Sequence, residues 1–148
     1  MRVSAKAIII RDGHLLALAC RRDGERFYIL PGGGQEPGES VHDTLKRECR
    51  EELGVSVVPG PLLFVRDYMG ALGAEEPDKT RQQLELMFAC ELDGTSEAGG
   101  GAVPDDYQEG LAWLPTDRLE DYALYPLTLR ALLARGGAVP DIYLGPVN

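Results

Sequence analysis

Histidine and cysteine are scarce in this chain of 148 residues, and basic residues are outnumbered. The two histidines, His14 and His42, stand apart, and Cys20, Cys49 and Cys90 are scattered with no CxxC spacing. That set offers neither a zinc-type cluster nor a disulfide framework. It points to buried free thiols in a reducing cytoplasm. Lys and Arg number 15 against 24 Asp and Glu, for a net charge of −9. With no basic cluster, nucleic acid is not an expected partner, although a polyphosphate can still bind an acidic protein when metal ions screen the contact. The apolar run near the N-terminus is far too short for a signal sequence or a membrane span. There is no repeat and no low-complexity tail. An apolar content of 44% and a charged content of 26% are ordinary for a globular chain. The length is that of one domain, residues 1–148, with room for a real core.

What the chain does have is glycine and glutamate in a fixed order. Residues 33–55 read GGQEPGESVHDTLKRECREELGV. Ser40 is a good N-cap with Asp43 three residues on, and Gly54 is a natural stop, so the spacing predicts a helix over 41–53. At about 100° per residue, Val41, Leu45, Cys49 and Leu53 form one apolar arc. Glu48, Glu51 and Glu52 fall on an adjoining arc, with Arg47 just beyond. Like charges three and four positions apart repel on a bare helix, and a cation and Arg47 are the groups that would offset this. A merely solvated acidic helix would leave Glu39 and the run Pro31-Gly32-Gly33-Gly34 unexplained. Oxygen ligands without a His or Cys cluster point to Mg²⁺ or Mn²⁺ rather than zinc. The matching chemistry is metal-assisted attack of water on phosphorus.

These residues resemble the Nudix box, G-x5-E-x7-R-E-U-x-E-E-x-G-U with U apolar. Gly33, Glu39, Arg47, Glu48, Cys49, Glu51, Glu52, Gly54 and Val55 occupy its specified positions. Cys49 stands where Leu, Ile or Val is usual, and a free thiol packs as a small hydrophobe. The resemblance implies an α/β/α sandwich with a mixed sheet between helices. It also implies a metal-dependent pyrophosphohydrolase that cleaves a diphosphate linkage in a nucleoside diphosphate joined to another moiety: a nucleoside triphosphate, a nucleotide sugar or a dinucleotide. Glu48, Glu51 and Glu52 would then bind the catalytic metal, with the backbone carbonyl of Gly32 as a further ligand. Arg47 would orient a box carboxylate, and Glu39 would brace the loop by pairing with it. The general base would be a box glutamate or a carboxylate from a distant loop, and Glu109 is the candidate from outside the box. A non-catalytic nucleotide-binding sensor on the same fold is the alternative, against which the intact box argues. No marker of a Nudix subfamily is present, so the substrate is left open.

Residues 5–11 and 14–21 read as a hairpin about Asp12-Gly13, and 27–30 as a short strand leading into the glycines. Residues 55–58 and 62–69 read as extended. Residues 82–92 alternate, with Leu84, Leu86, Phe88 and Cys90 on one face. Residues 110–113 read as a last strand, and 126–135 as a second helix stopped by Gly136-Gly137. Arg66, Tyr68, Arg81, Gln83 and Glu85 lie on or beside strands that would border a pocket, and are the candidate substrate contacts. Two long loops, 70–80 and 93–109, are candidates for specificity. The stretch 141–148 reads as a closing strand or a dimer contact, and a homodimer is compatible with it.

Overall fold

The apolar N-terminal run can bury both of its faces only at the centre of a sheet, and it does so as β1 (Arg2–Arg11). The computed structural model describes residues 2–71, 77–94, 108–134 and 141–148. Asp12 and Gly13, both at positive φ, turn the chain into β2 (His14–Arg22). Next come β3 (Glu25–Ile29), β4 (Gly32–Gly34), α1 (Val41–Leu53), β5 (Val57–Met69), β6 (Gln82–Leu92) and β7 (Gln108–Pro115). A 3-10 turn (Thr116–Asp121), β8 (Leu124–Tyr125), α2 (Thr128–Ala134) and β9 (Tyr143–Gly145) complete the order.

Among the described residues the strands form one mixed sheet in the order β8-β3-β2-β1-β6-β5-β9, with β4 paired to β1 and β7 to β2. The pairs β1–β6, β3–β8 and β5–β9 are parallel. Alternation along the central strands sorts the core into two layers. Ala5, Ala7 and Ile9 of β1 pack with Leu45, Cys49 and Leu53 of α1 on one face. Ile8 of β1 packs with Leu129, Leu132 and Leu133 of α2 on the other. The result is the α/β/α sandwich. Leu45 and Leu53 are fully buried, and each such burial contributes about 1.5–3 kcal/mol to holding α1 on the sheet. No helix among the described residues is long and apolar enough to cross a membrane.

The sheet forks at β1, and the fork positions the site. The far end of β1 pairs with β2 through Ile10 and Arg11. Its near end pairs instead with β4, Ala5 opposite Gly33 and Lys6 opposite Gly32. The glycine run is therefore a short strand whose missing side chains let α1 sit close beside it. Residues 55–69, expected in two pieces, form the continuous β5, with register shifts between Pro59 and Leu62 and between Leu62 and Phe64. Pro59 cannot donate to the ladder, and a bulge absorbs this. The second helix is shorter than expected, and its expected Gly136-Gly137 stop lies outside the described residues, as do 72–76 of the loop 70–80 and 95–107 of the loop 93–109. The end of the chain supplies a closing strand, β9, on the edge of β5.

Candidate active site

Local chemistry sets α1 in place. The Ser40 hydroxyl accepts from the Asp43 N–H, and the Asp43 carboxylate accepts from the Ser40 N–H, both at 3.1 Å. This reciprocal cap is worth about 1 kcal/mol. Gly54, at φ 75°, ends the helix in the left-handed conformation and donates to the Arg50 carbonyl. With Thr44, Leu45, Cys49 and Leu53 buried, Glu48, Glu51 and Glu52 are delivered to the margin of the sheet beside β4.

Arg47 organises this margin. It grips Glu39 with two bonds, Nε to Oε2 at 2.7 Å and Nη2 to Oε1 at 3.1 Å. It also donates to the Gly34 carbonyl at 3.0 Å and, through Nη1, to Glu48 Oε1 at 3.0 Å. Its reach to Glu51 is looser, 3.5 Å. Glu39 further accepts from the Glu36 N–H and the Thr44 hydroxyl. Hydrogen bonding from Arg47, then from the Glu36 backbone, pulls the Glu39 carboxyl down to about 2. The bracing role expected of Glu39 and the orienting role expected of Arg47 thus have the contacts they would need.

Glu52 Oε1 accepts from the Gly32 N–H at 2.7 Å. Gly33 lies so close to Glu48 that an added Cβ would stand 2.5 Å from its carboxyl carbon. Lys6 Nζ approaches the Gly32 carbonyl at 3.5 Å, so that oxygen already faces a cation. Glu48, Glu51 and Glu52 border, with Gly32 and Gly33, a cavity of about 260 Å³. The donors are all hard oxygens, which suits a cation such as Mg²⁺. They surround a space rather than a point: among the described residues no three His, Cys, Asp or Glu side chains converge closely enough to enclose an ion. Arg47 holds Glu48, and the backbone holds Glu52.

A second cavity, of about 210 Å³, adjoins the first. Arg66, Tyr68, Arg81, Gln83 and Glu85, the five residues read from the sequence as substrate contacts, all border it. Phe27 and Tyr125, packed edge to face at 6.3 Å, contribute an aromatic wall. Arg66 Nε donates to Glu85 Oε1 at 2.8 Å, with both side chains about 95% buried. The same guanidinium lies over the Tyr68 ring at 5.0 Å and donates to the Val147 carbonyl at 2.9 Å. Burial alone would raise the Glu85 carboxyl; Arg66, Lys6 and two side-chain hydrogen bonds outweigh it, and the group is held below its ordinary value. Lys6, Ile29, Arg81 and Gln83 border both cavities and form the seam between them.

Glu109 is not brought to this site. Its carboxylate accepts from Arg21 Nε at 2.7 Å and Arg26 Nη2 at 3.2 Å, and it borders neither cavity. Those bonds, Arg21 foremost, lower its carboxyl, which makes it a weaker proton acceptor. The structure thus pairs Glu109 with two arginines rather than with the box glutamates it was expected to serve beside. Sequence reading also missed Arg2, Ser4 and Lys6, which border the glutamate cavity. The signal was there in the alternation of these residues with Val3, Ala5 and Ala7. His42 packs edge to face on Phe88, and His14 contacts the Asp12 carbonyl. Cys20, Cys49 and Cys90 are buried thiols outside any disulfide, and burial pushes the Cys90 thiol up to about 11.

Known proteins are similar to this chain over most of its length. The model of the NUDIX domain matches residues 1–134. The nucleoside triphosphatase NudI of Salmonella arizonae is 32% identical over 105 residues, 69% of each chain. That of Salmonella agona is 30% identical over 135 residues, 87% of this chain and 92% of the relative. Among solved structures, a NUDIX hydrolase from Nitrosomonas europaea superposes with a TM-score of 0.71 at 22% identity, covering 94% of this chain and 92% of its own. A MutT NUDIX hydrolase from Burkholderia pseudomallei gives 0.63 at 27% identity, with 93% and 98% covered.

Proposed function

This chain belongs to the Nudix hydrolase family, and from that premise we propose that it is a metal-dependent pyrophosphohydrolase that cleaves a diphosphate linkage in a nucleoside triphosphate or a related nucleoside diphosphate derivative. One observation carries the reading: a cavity edged by Glu48, Glu51, Glu52 and Gly32 opens along a shared seam into a second cavity with aromatic and polar walls. The first suits a cation and phosphates, the second a nucleoside. The named activity of the NudI relatives, nucleoside triphosphatase, favours the triphosphate among the substrates the box leaves open.

Glu48, Glu51, Glu52 and the Gly32 carbonyl would hold a divalent cation, Mg²⁺ by preference with Mn²⁺ as substitute. When bound, it would draw charge from the phosphate and acidify the attacking water. Arg47 would keep Glu48 and Glu39 in place while leaving Glu51 the freer of its partners. Glu51 is the most exposed of the Arg47-bound box carboxylates, with 46% of its side chain accessible. With Glu109 held elsewhere, Glu51 is the residue we assign as proton acceptor for the attacking water. Arg2, Lys6 and Arg81, which border the same cavity, would meet phosphate oxygens. Residues 1–148 are taken as one catalytic unit. The three buried thiols fit a reducing cytoplasm, and the acidic balance favours a small nucleotide over a nucleic acid as partner.

The test is a panel of nucleoside triphosphates, nucleotide sugars and dinucleotides, each with Mg²⁺, with Mn²⁺ and with chelator, run beside Glu52→Gln. The substituted amide keeps an oxygen for the Gly32 N–H, so the fold is retained and turnover falls by about 10³ or more. A folded Glu52→Gln protein with near-wild-type turnover overturns the site.

A further inference from the structure

Among the buried polar groups of the seam, Gln83 is left half satisfied. It is 5% exposed, on β6, and borders both cavities. Its Nε2 donates to Glu85 Oε2 at 2.8 Å, and its Oε1 meets no hydrogen-bond partner. Amide orientation is often ambiguous, but here chemistry decides it. Glu85 is bonded to Arg66 through its other oxygen and held ionised, and a carboxylate can only accept. The amide nitrogen must face Glu85, and the carbonyl oxygen is therefore the free end. A buried acceptor without a donor is costly, and the residue that carries it lines both cavities. One strand away, the buried hydroxyl of Ser4 likewise lacks a partner and borders the glutamate cavity.

Phosphate oxygens are acceptors and cannot satisfy Gln83 Oε1. The donors a nucleotide offers are the sugar hydroxyls and the N–H groups of the base. Resting on the function proposed above, we propose that Gln83 is a specificity-determining residue whose carbonyl oxygen accepts a hydrogen bond from a donor on the nucleoside part of the substrate, so that analogues lacking that donor are rejected. The buried Arg66–Glu85 pair fixes the amide through its nitrogen, so that the oxygen is the end left for a substrate donor. A site built to hydrogen-bond one substrate group discriminates strongly against its absence, because the buried acceptor is then left unpaired.

The experiment compares kcat/KM for ATP, GTP, CTP and UTP with that for their 2′-deoxy and 3′-deoxy counterparts. Three base analogues are added: purine riboside triphosphate for ATP, ITP for GTP and 3-methyl-UTP for UTP. Wild type loses at least about tenfold for one of these deletions. Gln83→Met brings the ratio to within about twofold by lowering kcat/KM for the donor-bearing substrate. The pair in which this happens distinguishes a sugar hydroxyl from a base N–H. Gln83→Asn, which keeps an amide but draws its oxygen back from the seam, loses the selectivity as well, and decides the matter if Gln83→Met does not fold. Affinities of the matching nucleoside monophosphates, measured calorimetrically in chelator, follow the same order without turnover. Selectivity that survives in the folded variants, or is absent from wild type in both assays, overturns the proposal. Silence of wild type toward every triphosphate refutes the triphosphate as substrate instead, and leaves Gln83 to be judged by the monophosphate affinities.

Discussion

Adjacent glycines in β4 should respond to the same substitution in opposite ways. In Gly33→Ala the new Cβ would lie 2.5 Å from Glu48 Cδ and 2.6–2.8 Å from its two oxygens. These atoms end a flexible side chain, so the carboxylate can swing aside. That forfeits the 3.0 Å bond from Arg47 Nη1, worth about 0.5–1 kcal/mol at a partly exposed pair. The more restricted unfolded chain returns about 0.4–1 kcal/mol. The two nearly cancel, and Tm should move by no more than about 3 °C. Gly32→Ala has no such escape. Its Cβ would stand 2.1 Å from the Ala5 carbonyl oxygen and 2.8 Å from Lys6 Cα, at a φ of +135°. Backbone strain of about 1–3 kcal/mol adds to disruption of the β1–β4 ladder, for a total of about 3–5 kcal/mol. Tm should fall by about 10 °C or more. Function reverses the contrast. Gly33→Ala, folded and stable, should lose about 100-fold in Mn²⁺ affinity and in kcat/KM, because Glu48 has been moved. Thermal melts followed by circular dichroism, with Mn²⁺ titration by electron paramagnetic resonance, read both axes. Wild-type Mn²⁺ affinity and turnover in Gly33→Ala would show that the close seating of Glu48 against the glycine has no role. Wild-type stability in Gly32→Ala would refute the tight approach of β4 to β1.

Glu109→Gln should change kcat by less than about twofold, since the carboxylate is engaged by Arg21 and Arg26 away from both cavities; a loss of 100-fold at unchanged metal affinity would restore it as base. Arg66→Met strands a buried carboxylate and should cost about 3–5 kcal/mol in urea unfolding, while Arg66→Met combined with Glu85→Gln should recover much of the loss; additive losses would deny the coupling. The depressed Glu39 carboxyl makes a stability contribution that is full above its ordinary 4.5 and is lost as pH falls toward about 2. Arg47→Ala removes the cause of the depression, so its acid-unfolding midpoint should lie at higher pH than that of wild type, and identical midpoints would exclude the pairing as a source of acid resistance.

Helix α1 was legible to the residue because its determinants are local: a cap at Ser40, a stop at Gly54 and an apolar arc between them. Strand β6 was legible through its alternation, and the polar residues on its other face, Gln83 and Glu85, proved to border a cavity. β4 was not, since three glycines carry no periodic pattern and the strand exists only because β1 lies opposite. The placement of Glu109 was equally hidden. Its partners, Arg21 and Arg26, stand 88 and 83 residues away in the chain, and nearness in sequence to the Trp113 segment says nothing about the direction in which a carboxylate is held. The polar alternation of Arg2, Ser4 and Lys6 was visible, yet it becomes informative only once these residues are known to face the glutamates.

The two packed layers differ in how freely their volume can change. On the α1 side, Ala5 and Ala7 of β1 are fully buried beneath Leu45, Cys49 and Leu53, and that short spacing sets the height of the glutamates over β4. Adding even a methyl there tilts the helix that carries the candidate ligands. On the α2 side, Ile8, Met87, Phe64 and Leu129 fill space with no candidate ligand attached. A library randomising the core should therefore recover active clones with many combinations at the second set and few at the first. Sequence drift, like directed evolution, has one open face of this sheet on which to work.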